Sequence, residues 1–220
     1  MKTCVIIPTY NEAKTIGKLT AKIRGRQLEV LIIDDGSLDN TGQIALDNAA
    51  IVLKNDINKG KGASFIRGFN YLVERDFDLI ITMDGDGQHD PEEIPAFIQA
   101  AQDHNYGIVV GNRMCNCEGM PLLRVITNKF MSWIISGIAR QNIPDTQCGF
   151  RLIKKEVIQE VKLATSRYET ESEILIRAAQ KGFKIGSIPI KSIYRGEKSR
   201  INPFIDTLRF IKLIFNILHE

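Results

Sequence analysis

Two aspartates separated by one glycine, Asp84-Gly85-Asp86, open the most chemically loaded run in this sequence, which continues Gly87-Gln88-His89-Asp90-Pro91. Hard divalent cations require oxygen ligands, and Mg2+ or Mn2+ commonly shares them between protein carboxylates and substrate phosphates. Two carboxylates spaced this way, with glycines beside them, can turn toward one point in a loop. The competing reading is a solvated acidic turn, which would win for an isolated pair. Position decides between them: the pair follows the apolar run Leu79-Ile80-Ile81-Thr82-Met83. A calcium loop of the EF-hand type fails, because the twelfth position counted from Asp84 is Pro95.

A second acidic pair, Asp34-Asp35, ends the run Val30-Leu31-Ile32-Ile33 and is followed by Gly36-Ser37. An aspartate placed there can accept hydrogen bonds from a ribose or a base. Capping of a helix is the structural alternative for Asp34 or Ser37. A phospho-acceptor receiver domain also carries such acids, but it would leave the second half of the chain unexplained. Lys59-Gly60-Lys61-Gly62 is neither a Walker A loop nor G-x-G-x-x-G, since Phe65 stands where the third glycine would be. A plain helix-start loop explains it as well as phosphate binding does.

The elements that must hold these residues follow from hydrophobic periodicity. Short apolar runs at Val5–Ile7, Val30–Ile33, Ile51–Leu53, Leu79–Met83 and Ile108–Val110 predict buried strands. Helices are predicted over Ala13–Arg24, after an N-cap at Asp39, from the Gly/Lys loop to Glu74, and from Pro91 to Asp103. Alternation of this kind predicts an α/β fold, a Rossmann-like mostly parallel sheet with helices on both faces. Ligands of such sheets bind at the carboxyl ends of the strands. Those ends carry Thr9-Tyr10-Asn11-Glu12, Asp34-Asp35, Asp84-Gly85-Asp86 and Arg113. Further on, the patterns predict a long helix over Pro121–Arg140, a helix over Glu169–Gln180, a strand over Lys184–Ile190 and an apolar helix over Pro203–Leu218.

Composition narrows the class. The 220 residues include 29 Lys+Arg and 26 Asp+Glu, so the net charge of +3 gives no sign of a nucleic-acid partner. With 44% hydrophobic and 25% charged residues the chain is expected to be globular rather than disordered. The N-terminal apolar run is too short for a secretory signal, and no run is long enough to span a membrane. Four cysteines and three scattered histidines suggest neither a disulfide scaffold nor a zinc site. A cytoplasmic location is the expectation.

Taken in order, the motifs resemble the dolichol-phosphate mannosyltransferase-like branch of glycosyltransferase family 2. They are Pro8-Thr9-Tyr10-Asn11-Glu12, Ile33-Asp34-Asp35-Gly36-Ser37, Asn58-Lys59-Gly60-Lys61-Gly62, Met83 through Pro91, Gly111-Asn112-Arg113, Asp145 through Arg151 and Arg195-Gly196-Glu197-Lys198-Ser199. The resemblance implies a GT-A-type fold over 1–202 with a C-terminal amphipathic helix over 203–220. It also implies a GDP- or UDP-linked sugar donor, a Mg2+ or Mn2+ cofactor, and inversion at the sugar's anomeric carbon. By the same resemblance Pro8, Tyr10, Glu12, Ile33 and Asp35 line the nucleoside pocket. Gly85 and Asp86 meet the donor; Asp84, Asp86 and Gln88 hold or surround the metal. Arg113, Arg195 and Lys198 face the diphosphate or an acceptor phosphate, a role arginine's two-pronged donor suits. For Arg124 and Arg151 surface solvation is an equal reading.

The acceptor expected from this branch is a polyprenyl phosphate. A hydroxyl acceptor normally needs a general base, whereas a phosphate is already ionised near neutral pH. Asp145 is the best candidate for a base or acceptor-orienting group, and one of Glu169, Glu171 and Glu173 could enter the site. The only tryptophan, Trp133, follows Ser132, so the Q-x-x-R-W sequence of processive synthases is absent and a single transfer is expected. The apolar tail helix would lie in a membrane interface, pack on the core, or pack on another copy in a homo-oligomer. Some relatives continue into membrane-spanning helices; with the sequence ending at Glu220, peripheral attachment is expected instead. Three alternatives remain at this stage. They are a transferase acting on a soluble or polysaccharide hydroxyl, a nucleotidyltransferase (whose N-terminal glycine-rich signature is missing), and a non-catalytic binding domain.

Overall fold

The computed structural model describes residues 1–191 and 203–219. Its elements run β1 (Thr3–Thr9), α1 (Ile16–Arg24), β2 (Glu29–Asp34), α2 (Thr41–Asp47), β3 (Ile51–Lys54), α3 (Lys61–Val73), β4 (Leu79–Thr82), a 3-10 turn (Pro91–Glu93), α4 (Ile94–His104) and β5 (Ile108–Asn112). There follow α5 (Leu122–Ala139), β6 (Arg151–Lys154), α6 (Lys155–Glu160), α7 (Thr170–Gln180), β7 (Ile185–Pro189) and α8 (Pro203–His219).

Seven strands form one sheet in the order β3-β2-β1-β4-β6-β5-β7. The pairs β1–β2, β1–β4, β2–β3 and β5–β7 are parallel, while β6 runs antiparallel to both neighbours. Strands β4 and β5 are buried at every position, so both faces of the sheet are covered. The helices show why they dock. In α1 the buried Ile16, Leu19, Thr20 and Ile23 fall at helical spacing. In α3, Phe65, Phe69 and Leu72 are buried, and Gly68 lets the helix approach β1 so closely that an added Cβ would lie 2.0 Å from Ile6 Cδ1. From α8, Phe210, Leu213 and Ile217 join the same core.

Strand β6 and helix α6 are absent from the sequence expectation. The strand is four residues, Arg-Leu-Ile-Lys, and its polar ends hide the apolar signal. Its first residue, Arg151, is 2% exposed. A buried cation costs several kcal/mol unless it finds acceptors. Here Nε donates to Cys148 O at 2.7 Å, Nη2 to Thr146 O at 2.8 Å and Nη1 to Glu171 O at 2.5 Å. Arg151 is therefore a structural tie between the 146–148 turn and α7, which settles its two readings against surface solvation. Two smaller differences concern boundaries. Helix α1 begins at Ile16, three residues later than expected, because the chain first makes turns in which Thr15 N and Ile16 N donate to Glu12 O. Helix α2 is capped at Asn40, while Asp39 accepts from Thr41 N at 3.0 Å from just outside.

This strand order places the site. The carboxyl ends of β1, β2 and β4 share one edge of the sheet. Because β6 reverses direction twice over, β5 runs parallel to β4 and brings Arg113 to that same edge. Register fixes the entry to β6 there too, with Arg151 opposite Thr82 and Val110.

Cys4 and Cys148 lie wholly in the interior, and burial pushes both thiols up to about 12, whereas Cys115 is exposed. Only the thiolate reacts readily. Iodoacetamide near pH 8 is expected to label Cys115 in the native protein and to reach Cys4 and Cys148 only after denaturation, as read by peptide mass spectrometry. Equal native labelling of Cys148 and Cys115 would contradict the packing.

Candidate active site

The loop after β1 turns at Asn11, which adopts a left-handed conformation with φ 55°. It is laced to the loop after β2: Asn11 N donates to Ser37 Oγ at 3.0 Å, Leu38 N to Asn11 Oδ1 at 2.8 Å, and Glu12 N to Thr41 Oγ1 at 2.8 Å. Pro8, Tyr10 and Glu12 are thereby held half-buried at the strand-end edge. Ile33 departs from expectation. Its side chain is fully buried beside Gly68 of α3, so it serves the core and not a pocket wall.

Asp34 and Asp35 are both nearly inaccessible, at 1% and 4%. Asp34 Oδ1 accepts from Ser37 N at 2.9 Å. Asp35 Oδ1 accepts from Asn55 Nδ2 at 2.7 Å and Lys59 N at 2.9 Å, and its Oδ2 accepts from Gly60 N at 2.8 Å. Sequence reasoning assigned Asp35 to a ribose or base; in the structure it latches the Lys59–Gly62 loop. That loop is not an open phosphate cradle. Ala63 N donates to Ser166 O, and a Cβ on Gly62 would fall 2.0 Å from Thr170 Oγ1 and 2.6 Å from Arg167 O. The glycines are there so that the start of α3 can press against the chain leading into α7.

The Asp84-Gly85-Asp86 turn sits at the centre of the edge. Gly85 is buried, with room for a Cβ only 3.0 Å from Thr9 Cγ2, and its carbonyl accepts from Thr15 Oγ1 at 2.6 Å. Gly87 takes φ +74°, which turns the chain so that Gln88 N donates to Asp86 Oδ1 at 2.9 Å. Asp84 lies over Gly149, where a Cβ would come within 2.7 Å of its carboxylate. Lys61 Nζ is 2.5 Å from Asp84 Oδ1 and 2.8 Å from Glu171 Oε1. His89, itself buried and tilted against Phe150, places Nε2 at 3.7 Å from Asp84 Oδ2. Burial alone would raise the Asp84 carboxyl, but the Lys61 ammonium, with His89, outweighs it and holds the group well below the usual carboxylate range. Burial likewise opposes the Lys61 charge, and Asp84 and Glu171 overcome it, holding the ammonium above the usual lysine range.

The residues present suit a divalent cation. Their donors are hard carboxylate oxygens, and one of them already binds a cationic group, the Lys61 ammonium. Among the described residues, no three His, Cys, Asp or Glu side chains form a ready-made metal cage.

At the same edge, beyond β6 at the end of β5, stands Arg113, 3% exposed. Its Nε and Nη2 donate to Asp145 Oδ2 and Oδ1 at 2.8 and 2.9 Å, and its backbone N donates to Oδ2 at 3.0 Å. Asp145 is 0% exposed and both its oxygens are committed to Arg113. The expected base role is corrected accordingly: a proton acceptor needs an oxygen that a substrate can reach, and Asp145 instead fixes the guanidinium. Of the three glutamates near α7, Glu171 enters the site through Lys61. Glu173 is buried and holds Ala164 N, Thr165 N and Arg177. Glu169 is half-buried, as is Arg124 on α5. Arg195 and Lys198 lie outside the described residues. Lys61, His89 and Glu171 carry roles that the motifs did not assign. The signal available in the sequence was Lys61's place in the first turn of a helix that starts at the strand-end edge.

A strand-end acidic turn on a Rossmann-like sheet, with an arginine at the same edge, is the arrangement of a glycosyltransferase of GT-A type. Residues 4–162 match the sequence profile of Glycosyl transferase family 2, and the chain belongs to that family. Among curated relatives, the UDP-N-acetylglucosamine–dolichyl-phosphate N-acetylglucosaminyltransferase of Methanococcus voltae is 33% identical over 213 residues, covering 86% of this chain and 85% of the relative. Undecaprenyl-phosphate mannosyltransferase of Micrococcus luteus is 29% identical, covering 89% and 85%. Among solved structures, mannosyl-3-phosphoglycerate synthase from Rubrobacter xylanophilus superposes with a TM-score of 0.79 at 17% identity, covering 100% of this chain and 74% of the other. Glucosyl-3-phosphoglycerate synthase from Mycobacterium tuberculosis, solved with Mn2+ and UDP, gives 0.74 at 17% identity, covering 98% and 79%. These likenesses establish the GT-A fold.

The packing of α3 on the 166–170 chain is testable. Gly62→Ala is expected to lower stability by roughly 1–3 kcal/mol in urea unfolding, as overpacking does. Gly137→Ala, on α5 with nothing within 4 Å of the new Cβ, is expected to be neutral or slightly stabilising. Equal stabilities would refute the contact.

Proposed function

We propose that this chain transfers one hexose from a GDP- or UDP-sugar to a polyprenyl phosphate, with inversion and with a divalent metal, at a cytoplasmic membrane face. The observation that carries the acceptor class is the likeness to curated relatives named for transfer to dolichyl and undecaprenyl phosphates, and the commitment of Asp145 to Arg113 agrees with it. A hydroxyl acceptor needs a base at the site, and the candidate singled out in the sequence is sequestered. A phosphate acceptor needs none, being largely dianionic near neutral pH. The names of the curated relatives, which act on dolichyl and undecaprenyl phosphates, support the same reading.

In this reading Pro8, Tyr10 and Glu12 surround the nucleoside, with Asp35 behind them holding the loop that begins α3, and Gly85 and Asp86 meet the donor diphosphate. Asp86 would hold the metal, with Asp84 and Gln88 beside it. The bound cation would supply charge stabilisation to the departing nucleoside diphosphate. An acceptor phosphate oxygen attacks the anomeric carbon while the bond from that carbon to the donor's β-phosphate oxygen breaks. Negative charge therefore passes onto the leaving group. Arg113, fixed in place by Asp145, would add positive charge on that side of the leaving group, and a charge preset in this way is often the largest catalytic term. Arg195 and Lys198 belong to the same expected phosphate contacts.

The lipid side has its own support. On α5, Leu122, Leu123, Ile126, Phe130 and Trp133 lie on one helical face and are each more than half exposed. On α8, Leu208, Ile211 and Phe215 do the same. Stripes of this kind exceed what scattered surface residues require and suit a membrane interface. Among the described residues no helix is long and apolar enough to cross a membrane.

Asp86→Ala is expected to abolish donor turnover, measured as nucleoside diphosphate release with Mn2+; undiminished transfer would sink the metal assignment. The triple variant Leu123→Ser/Phe130→Ser/Trp133→Ser is expected to lose flotation with anionic liposomes while remaining folded. Its KM for the lipid acceptor should rise by about tenfold or more, given the apolar area removed from the interface. Unchanged flotation would count against membrane contact through α5. A radiolabelled acceptor panel that found transfer to a soluble hydroxyl and none to lipid phosphate would replace the acceptor.

A further inference from the structure

The Lys61 ammonium joins three separate parts of the fold. It rises from the first turn of α3, meets Asp84 at the end of β4 at 2.5 Å, and meets Glu171 in the first turn of α7 at 2.8 Å. Its side chain is 18% exposed, and Nζ lies 5.7 Å from the centre of the Phe65 ring. Asp84 and Glu171 share this one ammonium, with His89 Nε2 at 3.7 Å from the other oxygen of Asp84 and the Arg151 guanidinium on the Glu171 carbonyl. Lys61 therefore bridges two carboxylates, and one of them, Asp84, stands beside the expected metal position.

We infer that Lys61 is the internal counter-cation of the acidic turn: it occupies Asp84 while no donor is bound and keeps a bare divalent ion out until a diphosphate arrives with it. The inference rests on the metal reading proposed above. Electrostatics gives the order of events. A divalent ion entering alone must sit beside a fixed positive charge in a poorly screened pocket, which weakens its binding. A donor diphosphate brings the negative charge that offsets both cations, so metal and donor are retained together and neither ion is left opposed. Lys61 is in this sense a positioning residue. It sets the rotamer of Asp84, ties α7 to the donor edge through Glu171, and couples metal affinity to donor occupancy.

A purely structural ion pair makes a different prediction, so metal affinity is the deciding readout. Free Mn2+ would be followed by electron paramagnetic resonance on the full chain, with and without UDP or GDP. Lys61→Met is expected to bind Mn2+ about tenfold more tightly than wild type without nucleotide, because one opposing unit charge has gone. Lys61→Arg, which keeps the charge, is expected to stay near wild type. With nucleotide present the difference should shrink. Lys61→Gln retains a hydrogen-bond donor without the charge, and it takes the place of the methionine variant if circular dichroism shows that one unfolded. Unchanged or weaker Mn2+ binding by a folded, uncharged variant overturns the inference. If wild type takes up no Mn2+ with either nucleotide, the metal reading itself fails and this inference falls with it. If wild type takes it up and the variants gain nothing, only the counter-cation role is lost.

Discussion

Carboxylates withdrawn from water must be answered by donors, and the strand-end edge of this protein is organised by how each is answered. Asp34 is met by the backbone amide of Ser37, three residues on, Asp35 by the amides that begin the α3 loop, Asp145 by a guanidinium and Asp84 by an ammonium. Each answer also fixes a piece of chain. The Asp35 latch sets where α3 starts, which sets where Lys61 rises. The Asp145 pair aims Arg113. An unpaired buried charge would cost several kcal/mol, so these contacts are not decorations of a finished fold but conditions for it. The result is one sheet edge on which the acids of β2 and β4 and the arginine after β5 are each held by a partner.

Much of this was legible in the sequence. Strands β1 to β5 and their intervening helices follow from apolar runs of the right length, and the strand-end rule led to the edge on which Asp84, Asp86 and Arg113 lie. What was hidden had physical causes. Strand β6 carries two apolar residues between two cations, and its assignment depends on partners far away in the chain, since Leu79 pairs with Lys154 and Val110 with Arg151. No local pattern reports such pairing. Asp145 read as a free acid because sequence shows a residue type and not its partner. The same holds for Arg151, whose acceptors are backbone carbonyls and leave no trace in side-chain spacing. Ile33 sits next to Asp34 in the chain, yet strand alternation turns it to the opposite face.

The two apolar stripes show a related limit. Periodicity predicts α5 and α8 as helices with an apolar side, but only the packing shows how much of that side remains uncovered. In α8 the face with Phe210, Leu213 and Ile217 enters the core, while Leu208, Ile211 and Phe215 stay outside. The helix is apolar on two sides for two different reasons, and an amphipathic reading from sequence merges them.

The reversed strand β6 has a consequence for how the site comes into being. Within the sheet, β5 has no bonded neighbour among the strands that precede it; its partners are β6 and β7. The acidic flank can be built from the first four strands, whose pairings link β1, β2, β3 and β4 directly. The strand that ends in Arg113 must wait for chain made later, and long-range pairings of this kind form slowly. A ribosome-bound or truncated chain ending before β6 would thus present carboxylates at a rim with no guanidinium opposite them. Competence arrives as a single late event, when the last strands slot in and close the gap between two halves drawn from different ends of the sequence.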